Sequence, residues 1–472
     1  MIIKKLLTGL IILCCLQTAF SQVVLSTHNL EMKKSGIYHD AMAAPEAKNH
    51  GLVVFAADKE TVTALRYTRV LYYNDSLAAP RPGVNDYDML AGYSYDENEH
   101  PSAYWASVDF TKIAEQRFNF DTGDVTDYTF DMVYKDENIL ITFSGSNSFY
   151  IITKANKGSK LYVYVFNGGK YLKHALDFSG YEFKNAKDSH ATLSSLLDEY
   201  GIQKMENPDF NPLAVTAGKI KLYLNDGAIQ LSLDHNTGFT QLFTISGTNF
   251  SISETKVPQK ALEDGKSNSF VHNDKLYQVV LDKKELSLTA TDLESGTELN
   301  TYRVSADENI AFKNSDLLEQ TDNKGAKIYK NTQKFLRKAA WGLPAVSVYK
   351  TPEDVLVVTG AIRRSTPAGE VILGSVATIG MVATGTGVDG FGMFNDHTQS
   401  IYFESLFDEN FTHKPLPQQR LAADYIGRYM YEHRKEISFQ TVFSYDYYMV
   451  LGYYDIKAKT YVLVKFQDDF VR

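Results

Sequence analysis

Asp234-His235-Asn236-Thr237-Gly238, followed by Leu242-Phe243-Thr244-Ile245, and Asp292-Leu293-Glu294-Ser295-Gly296, followed by Leu299-Asn300-Thr301-Tyr302-Arg303-Val304, decide how the fold is read. In both copies a run of strand-forming residues precedes the Asp and another follows the Gly, and the two glycines lie 58 residues apart. Asp and Gly are turn residues for physical reasons: the Asp carboxylate binds nearby backbone N–H groups, and Gly takes left-handed conformations without strain. A looser third copy is Tyr453-Tyr454-Asp455-Ile456-Lys457, leading into Thr460-Tyr461-Val462-Leu463-Val464. Repetition at this length signals an architecture built from stacked units.

Outward from these copies the chain keeps the same punctuation. Short alternating runs such as Gly51 to Ala56, Val62 to Tyr73, Tyr104 to Phe110, Leu161 to Phe166, Leu276 to Leu281 and Val355 to Thr359 read as strands. Many end on Asn, Asp, Gly or Ser, as at Asn167-Gly168-Gly169 and Asn225-Asp226-Gly227. Over about residues 215 to 305 the chain resembles the β-propeller repeat proteins with degenerate blades. The resemblance implies that Phe270 to Tyr277 is the turn and inner strand of a blade, and that Leu286 to Asp292 is the next strand. Asp292 to Gly296 is then the tight turn before the outermost strand. It concerns architecture only, since neither a Trp-Asp signature nor a kelch glycine pair occurs.

Helical periodicity is confined to Ala191 to Tyr200, Ala326 to Ala340 and Gln418 to His433, where Leu421, Tyr425, Ile426, Tyr429 and Met430 share one face. In a propeller these are insertions between strands that decorate one rim. The expected fold is therefore all-β: a single β-propeller of six to eight irregular blades with a few helical insertions. A set of β-sandwich domains is the alternative.

Lys4-Lys5, the apolar run Leu6 to Leu16 and Ala19-Phe20-Ser21 before Gln22 follow the grammar of a secretory signal peptide. The expected organisation is a leader over 1–21, an N-terminal extended segment over 22–49 and the propeller over 50–472. Export implies periplasm, outer-membrane face or medium. Cys14 and Cys15 both fall in the leader, so the mature chain has neither disulfides nor thiolate chemistry. Loss of Lys4 and Lys5 moves the formal charge from −9 to −11, and an acidic protein without a basic stripe is repelled by nucleic acid. The 31 Tyr and 27 Phe against 2 Trp are first a sheet signal, and second a supply of rings for stacking on sugars or peptides.

No catalytic frame stands out. Gly-x-Ser-x-Gly, a phosphate-cradling loop, the helical zinc pair and the EF-hand are all missing from the sequence. The carboxylates Asp121, Asp124, Asp127 and Asp131 near Gly123 form a calcium candidate. His235 and His397 each follow an Asp, and Asp88, Asp109, Asp131 and Glu404 are available for glycoside chemistry, with nothing to single them out. Val371 to Val388 runs eighteen residues without a charge and leads to Phe391, Met393 and Phe394. It reads as a buried strand with a glycine-rich loop, or as an apolar contact surface for a partner or membrane through Val371, Ile372, Ile379, Met381, Phe391, Met393 and Phe394. The expectation is a noncatalytic, cofactor-free exported protein that binds an envelope protein, peptide or glycan on a propeller rim. A hydrolase acting on glycans or peptides and a structural subunit of an envelope complex are the alternatives.

Overall fold

A computed structural model describes residues 22–33, 38–185, 188–206, 209–225, 227–321, 326–364, 398–417 and 419–469. Among these, seven sheets of four or five strands, antiparallel except for one two-residue strand, follow one another along the chain, and the molecule is an all-β propeller of seven blades. The first strands of the blades are Asp40–Pro45, Met89–Tyr95, Glu137–Gly145, Ile220–Asn225, Lys266–His272, Leu343–Lys350 and Ile437–Tyr445. They lie innermost, so that those of blades 7, 1, 2 and 3 pack side by side, as do those of blades 5 and 6.

Blade 5 shows the unit most plainly. Lys266–His272, Lys275–Leu281, Glu285–Asp292 and Glu298–Ser305 pair in order, each antiparallel to the last. His272 pairs with Lys275 across Asn273 and Asp274, both at positive φ (47° and 56°), the two-residue turn whose twist matches that of the strands it joins. The outermost strand falls where the repeat reading placed it, while Leu276 and Tyr277 open the second strand and not the inner one.

The two Asp-Gly copies are not equivalent positions. Asp234 lies between the second and third strands of its blade (Ala228–Leu233 and Phe239–Ile245), whereas Asp292 leads from the third strand to the fourth. The recurring position is the first of these. Asp58, Asp109 and Asp282 stand after the second strands of their blades, and Asp455 ends the second strand of blade 7. Each turns one carboxylate oxygen back onto a backbone N–H of its own loop, at Glu60, Thr111, Lys284 and Lys457.

The ring closes through its ends. Gln22–Asn29 pairs antiparallel with Thr460–Phe466 and becomes the outer strand of blade 7. The segment expected to precede the propeller thus belongs to it, since 22–49 supplies both this strand and the inner strand of blade 1. The single run expected over Val62 to Tyr73 is two strands, Thr61–Tyr67 and Tyr73–Pro80, joined by a turn in which Leu71 takes φ 60°. Blade 6 is assembled out of order, its fourth and fifth strands, Leu317–Thr321 and Lys327–Tyr329, preceding the other three.

Apolar clusters fill the seams between successive blades. Trp105, Phe55 and Phe118 bridge blades 1 and 2. Tyr104 and Phe149 stack at 4.9 Å between blades 2 and 3, where a Cβ on Gly92 would meet the Phe149 ring at 2.2 Å. Each fully buried ring or aliphatic side chain contributes about 1.5–3 kcal/mol, so the abundance of Tyr and Phe is used mainly as mortar between sheets.

The helices are insertions in the connections that lead to the inner strands of blades 4, 6 and 7, and each packs against the neighbouring sheets. Helix α1, Leu193–Tyr200, capped by Thr192, packs with the blade 3 and blade 4 strands. Helix α2, Leu213–Thr216, lies on the inner strands of blade 6. Helix α3, Thr332–Ala339, buries Phe335, Leu336 and Ala339 against blades 5 and 6. Helix α4, Ala422–Glu432, sets Ile426 against Leu451, Val464 and Phe466 of blade 7.

Candidate functional site

The axis of the ring is occupied by the chain itself. Between blades 3 and 4 the polypeptide leaves the wall, and Gln203–Lys204 adds a short parallel strand inside the inner strand of blade 4. Beyond it, Lys204 places its ammonium 5.6 Å from the Phe143 ring of blade 3. Ser444 of blade 7 hydrogen-bonds the Asp209 carboxylate. Phe210 meets Tyr349 of blade 6 edge to face at 6.2 Å, and Ser347 of the same blade donates to the Asn211 carbonyl at 2.5 Å. A segment that touches blades 3 and 4 on one side and blades 6 and 7 on the other lies on the axis.

This crossing is pinned by buried Asn211, whose amide accepts from the Glu206 N–H and donates to the carbonyls of Glu206 and Asp209. Burial pushes the Asp209 carboxyl up to about 6, with the Glu206 charge adding to the shift and Ser444 opposing it. Lys204 pairs with Glu206, so the two axial carboxylates are engaged by the protein's own groups.

An open concavity lies elsewhere, at the seam between blades 3 and 4. This cleft of about 170 Å³ is bounded by Tyr150, Val165, Leu172, His174, Gly247 and Phe250. Leu172 and His174 alternate on the outer strand of blade 3, Lys170–Asp177, and so share a face. Phe250 sits in the loop between the third and fourth strands of blade 4 at φ 55°, a costly conformation for a bulky residue. The loop over-determines it: the Phe250 N–H donates to the Ser246 carbonyl, and the Ser246 N–H to the Ser251 carbonyl. A Cβ on Gly247 would come within 2.4 Å of the Gly227 carbonyl oxygen, so this loop is pressed onto the adjoining turn. The result holds the Phe250 ring against the His174 imidazole, centroids 3.8 Å apart and planes 14° from parallel. Leu172 is 58% exposed at the edge of the cleft. Two ring faces, an aliphatic ledge and loop amides suit one flat or apolar group. Ligand pockets for whole small molecules run to about 300–1,000 Å³, so this cleft takes one side chain or one sugar ring of a longer chain.

The residues singled out in the sequence are scattered. Asp124 and Asp131 stand at the two ends of one strand, seven residues and therefore about 24 Å apart. Asp121 is in the preceding turn, and Asp127 accepts from the Gln116 amide at 3.0 Å. The four do not converge on a common cation position, and among the described residues there is no group of three or more His, Asp or Glu arranged to hold a metal.

Asp234 turns inward to a buried ion pair. His235 is buried beside it, its own pKa lowered by that burial. Asp88 accepts from the Val108 N–H of the loop after the second strand of blade 2, Asp109 accepts from Thr111 within its own loop, and Asp131 and Glu404 lie on blades 2 and 6. Val371, Ile372, Ile379, Met381, Phe391, Met393, Phe394 and His397 lie outside the described residues. Among those described, no helix is long and apolar enough to cross a membrane. Reading the sequence missed the cleft because Tyr150, His174 and Phe250 are far apart along the chain. The one local trace was the turn-rich run Ser246-Gly247-Thr248-Asn249 that ends on an aromatic residue.

No family model and no curated protein matches the chain. Among solved structures it is similar to a prolyl endopeptidase (10% identity, TM-score 0.29, covering 69% of this chain and 42% of that one). It is also similar to the Dos1 propeller (9%, 0.28, covering 89% and 76%) and to the WD40 domain of SCAP from fission yeast (9%, 0.28, covering 72% and 96%). This chain thus spans less than half the length of the endopeptidase. The neighbours include propellers, in keeping with the seven sheets, and at these scores the likeness says nothing about ligand or activity.

Proposed function

We propose that this protein is a noncatalytic binding module, exported by its leader, which captures an extended peptide segment of an envelope protein at the seam of blades 3 and 4. The cleft anchored by the stacked His174 and Phe250 rings is the observation that carries this reading. An extended peptide laid along Lys170–Asp177, whose outer edge bears no further strand among the described residues, places alternate side chains toward Leu172 and His174. One apolar or aromatic side chain then enters the cleft. Propellers that act on substrates through an axial channel need that channel open, and here Gln203 to Glu206 and Asp209 to Asn211 lie across it. The hydrolase reading is the weaker one for that reason.

The test is selection from a peptide library and, in parallel, a glycan array, with residues 22–472 as bait. Enrichment of extended peptides bearing an apolar anchor, with affinity reduced at least tenfold by Phe250→Ala and Leu172→Asp, is the expected result. Glycans bound in place of peptides, or peptide binding indifferent to both substitutions, would overturn it.

A further inference from the structure

Residues 326–349 hold five cations, Lys327, Lys330, Lys334, Arg337 and Lys338, and no Asp or Glu, in a chain whose formal charge is −9. Helix α3 orders them. Thr332, Phe335, Leu336 and Ala339 face the core, so Lys334, Arg337 and Lys338, at spacings of three and four, stand together on the opposite side. Trp341 continues that row seven residues after Lys334, with 66% of its surface exposed. Lys283, from the loop between the second and third strands of blade 5, adds its ammonium 5.0 Å from the Trp341 ring centroid. Ile328 and Leu343, on the strands before and after the helix, are exposed at 56% and 41%. Lys327 pairs with Glu319 at 3.4 Å, and none of the other four cations forms an ion pair among the described residues.

We propose that this stripe is a docking surface for an anionic lipid surface, with the cations against headgroup phosphates and Trp341 at the interface. A run of solvated charges would be explained by solubility alone, but solubility asks neither for an exposed Trp nor for two exposed aliphatic residues beside it. Cations mixed with Trp and aliphatic side chains match an interface that is charged outside and oily within. A soluble polyanion would use the cations and leave Trp341 and Ile328 in water. The placement is consistent with the whole molecule. Lys283 and Leu343 lie on the rim opposite the turns at Gly227 and Gly247, so a docked molecule turns its blade 3–4 cleft away from the lipid. The inference stands on its own residues and does not rest on the peptide reading.

The protein carries its own probe. Of the two tryptophans, Trp105 is fully buried and only Trp341 can respond to a surface. Residues 22–472 titrated with phosphatidylcholine vesicles containing phosphatidylglycerol should give a blue shift and quenching by brominated lipid, both lost in high salt, and pure phosphatidylcholine should give neither. The triple variant K334Q/R337Q/K338Q, its fold checked by circular dichroism, should bind the anionic vesicles at least tenfold more weakly, since each cation near such a surface contributes roughly fivefold. Trp341→Phe should co-sediment nearly as well while losing the blue shift. Two outcomes would overturn the proposal: no response to anionic vesicles, or binding to heparin as strong as to vesicles without any shift of Trp341.

Discussion

Two seams of the ring each bury one ion pair, and they are built differently. Between blades 4 and 5, Lys221 donates to Asp234 at 2.8 Å and to the Asn268 side-chain oxygen at 2.6 Å. Asp234 also accepts from the Thr240 hydroxyl and from both the N–H and the hydroxyl of Ser269. Burial raises the Asp234 pKa, but the charges of Lys221 and Lys219 and these donors outweigh it, and the net direction is downward. At blade 1, facing blade 2, Arg81 meets Asp40 at 3.1 Å, donates to the carbonyls of Tyr38, Asp58 and Asp88, and stacks over Trp105 at 4.6 Å. Here the cation holds the extra partners, and burial pushes the Asp40 carboxyl up to about 6 despite Arg81. The pairs show that burial alone does not set the charge state of a carboxylate. The cations facing it and the donors aimed at it tip the balance: two lysines and several donors at Asp234, Arg81 alone at Asp40.

The largest separation between the seams should come from removing each carboxylate. Asp234→Ala leaves a fully buried Lys221 ammonium without its counter-charge and should cost about 3–5 kcal/mol, read from urea denaturation midpoints. Asp40→Ala leaves Arg81 three carbonyls and an indole face, and should cost distinctly less, about 1–3 kcal/mol. Equal losses would mean that the extra partners of Arg81 do not compensate it.

The pH dependence should run in opposite directions. Asp40 has a folded pKa of about 6 against an ordinary 3.8, so the unfolded chain ionises first and stability falls as pH rises from about 4 to 6. Asp209, also near 6, adds to that slope. Asp40→Asn should flatten part of it, and Asp40→Asn with Asp209→Asn should flatten more. Asp234, with its pKa lowered, contributes stability that is present above the unfolded pKa and is lost as pH falls below about 4. Asp234→Asn should therefore blunt the acid limb only. Midpoints measured from pH 3 to 7 would decide this, and a wild-type stability flat between pH 4 and 6 would remove Asp40 and Asp209 from the account.

The smallest effect tests donor number directly. Ser269→Ala deletes one of the hydrogen bonds to Asp234 while keeping the N–H, and should cost about 0.5–1.5 kcal/mol. A cost near zero would show that Asp234 is over-supplied.

Much of the architecture was legible along the chain, though not for every reason first offered. The Asp-Gly copies at Asp234 and Asp292 pointed to stacked sheets, yet they occupy different loops, and the true recurrence at Asp58, Asp109, Asp282 and Asp455 is a carboxylate capping its own turn. Composition could not separate the two, since each is an Asp between two strands. The helix at Gln418 to His433 was legible from its apolar face, but a face does not say whether it covers a rim or fills a seam. The basic stripe on helix α3 was masked by the acidity of the whole chain.

By itself the sequence determined that this is a chain of short strands joined by turns, with both of its cysteines inside the first fifteen residues. Alternation and turn chemistry are local properties, settled within a few residues by backbone sterics and hydrogen bonding. Only the tertiary structure decided that Gln22–Asn29 closes the ring on Thr460–Phe466, that Gln203 to Glu206 and Asp209 to Asn211 lie across the axis, and that His174 and Phe250 stand face to face. Those contacts join residues far apart along the chain, and they form only when inter-blade burial offsets the entropy of closing the loops between them.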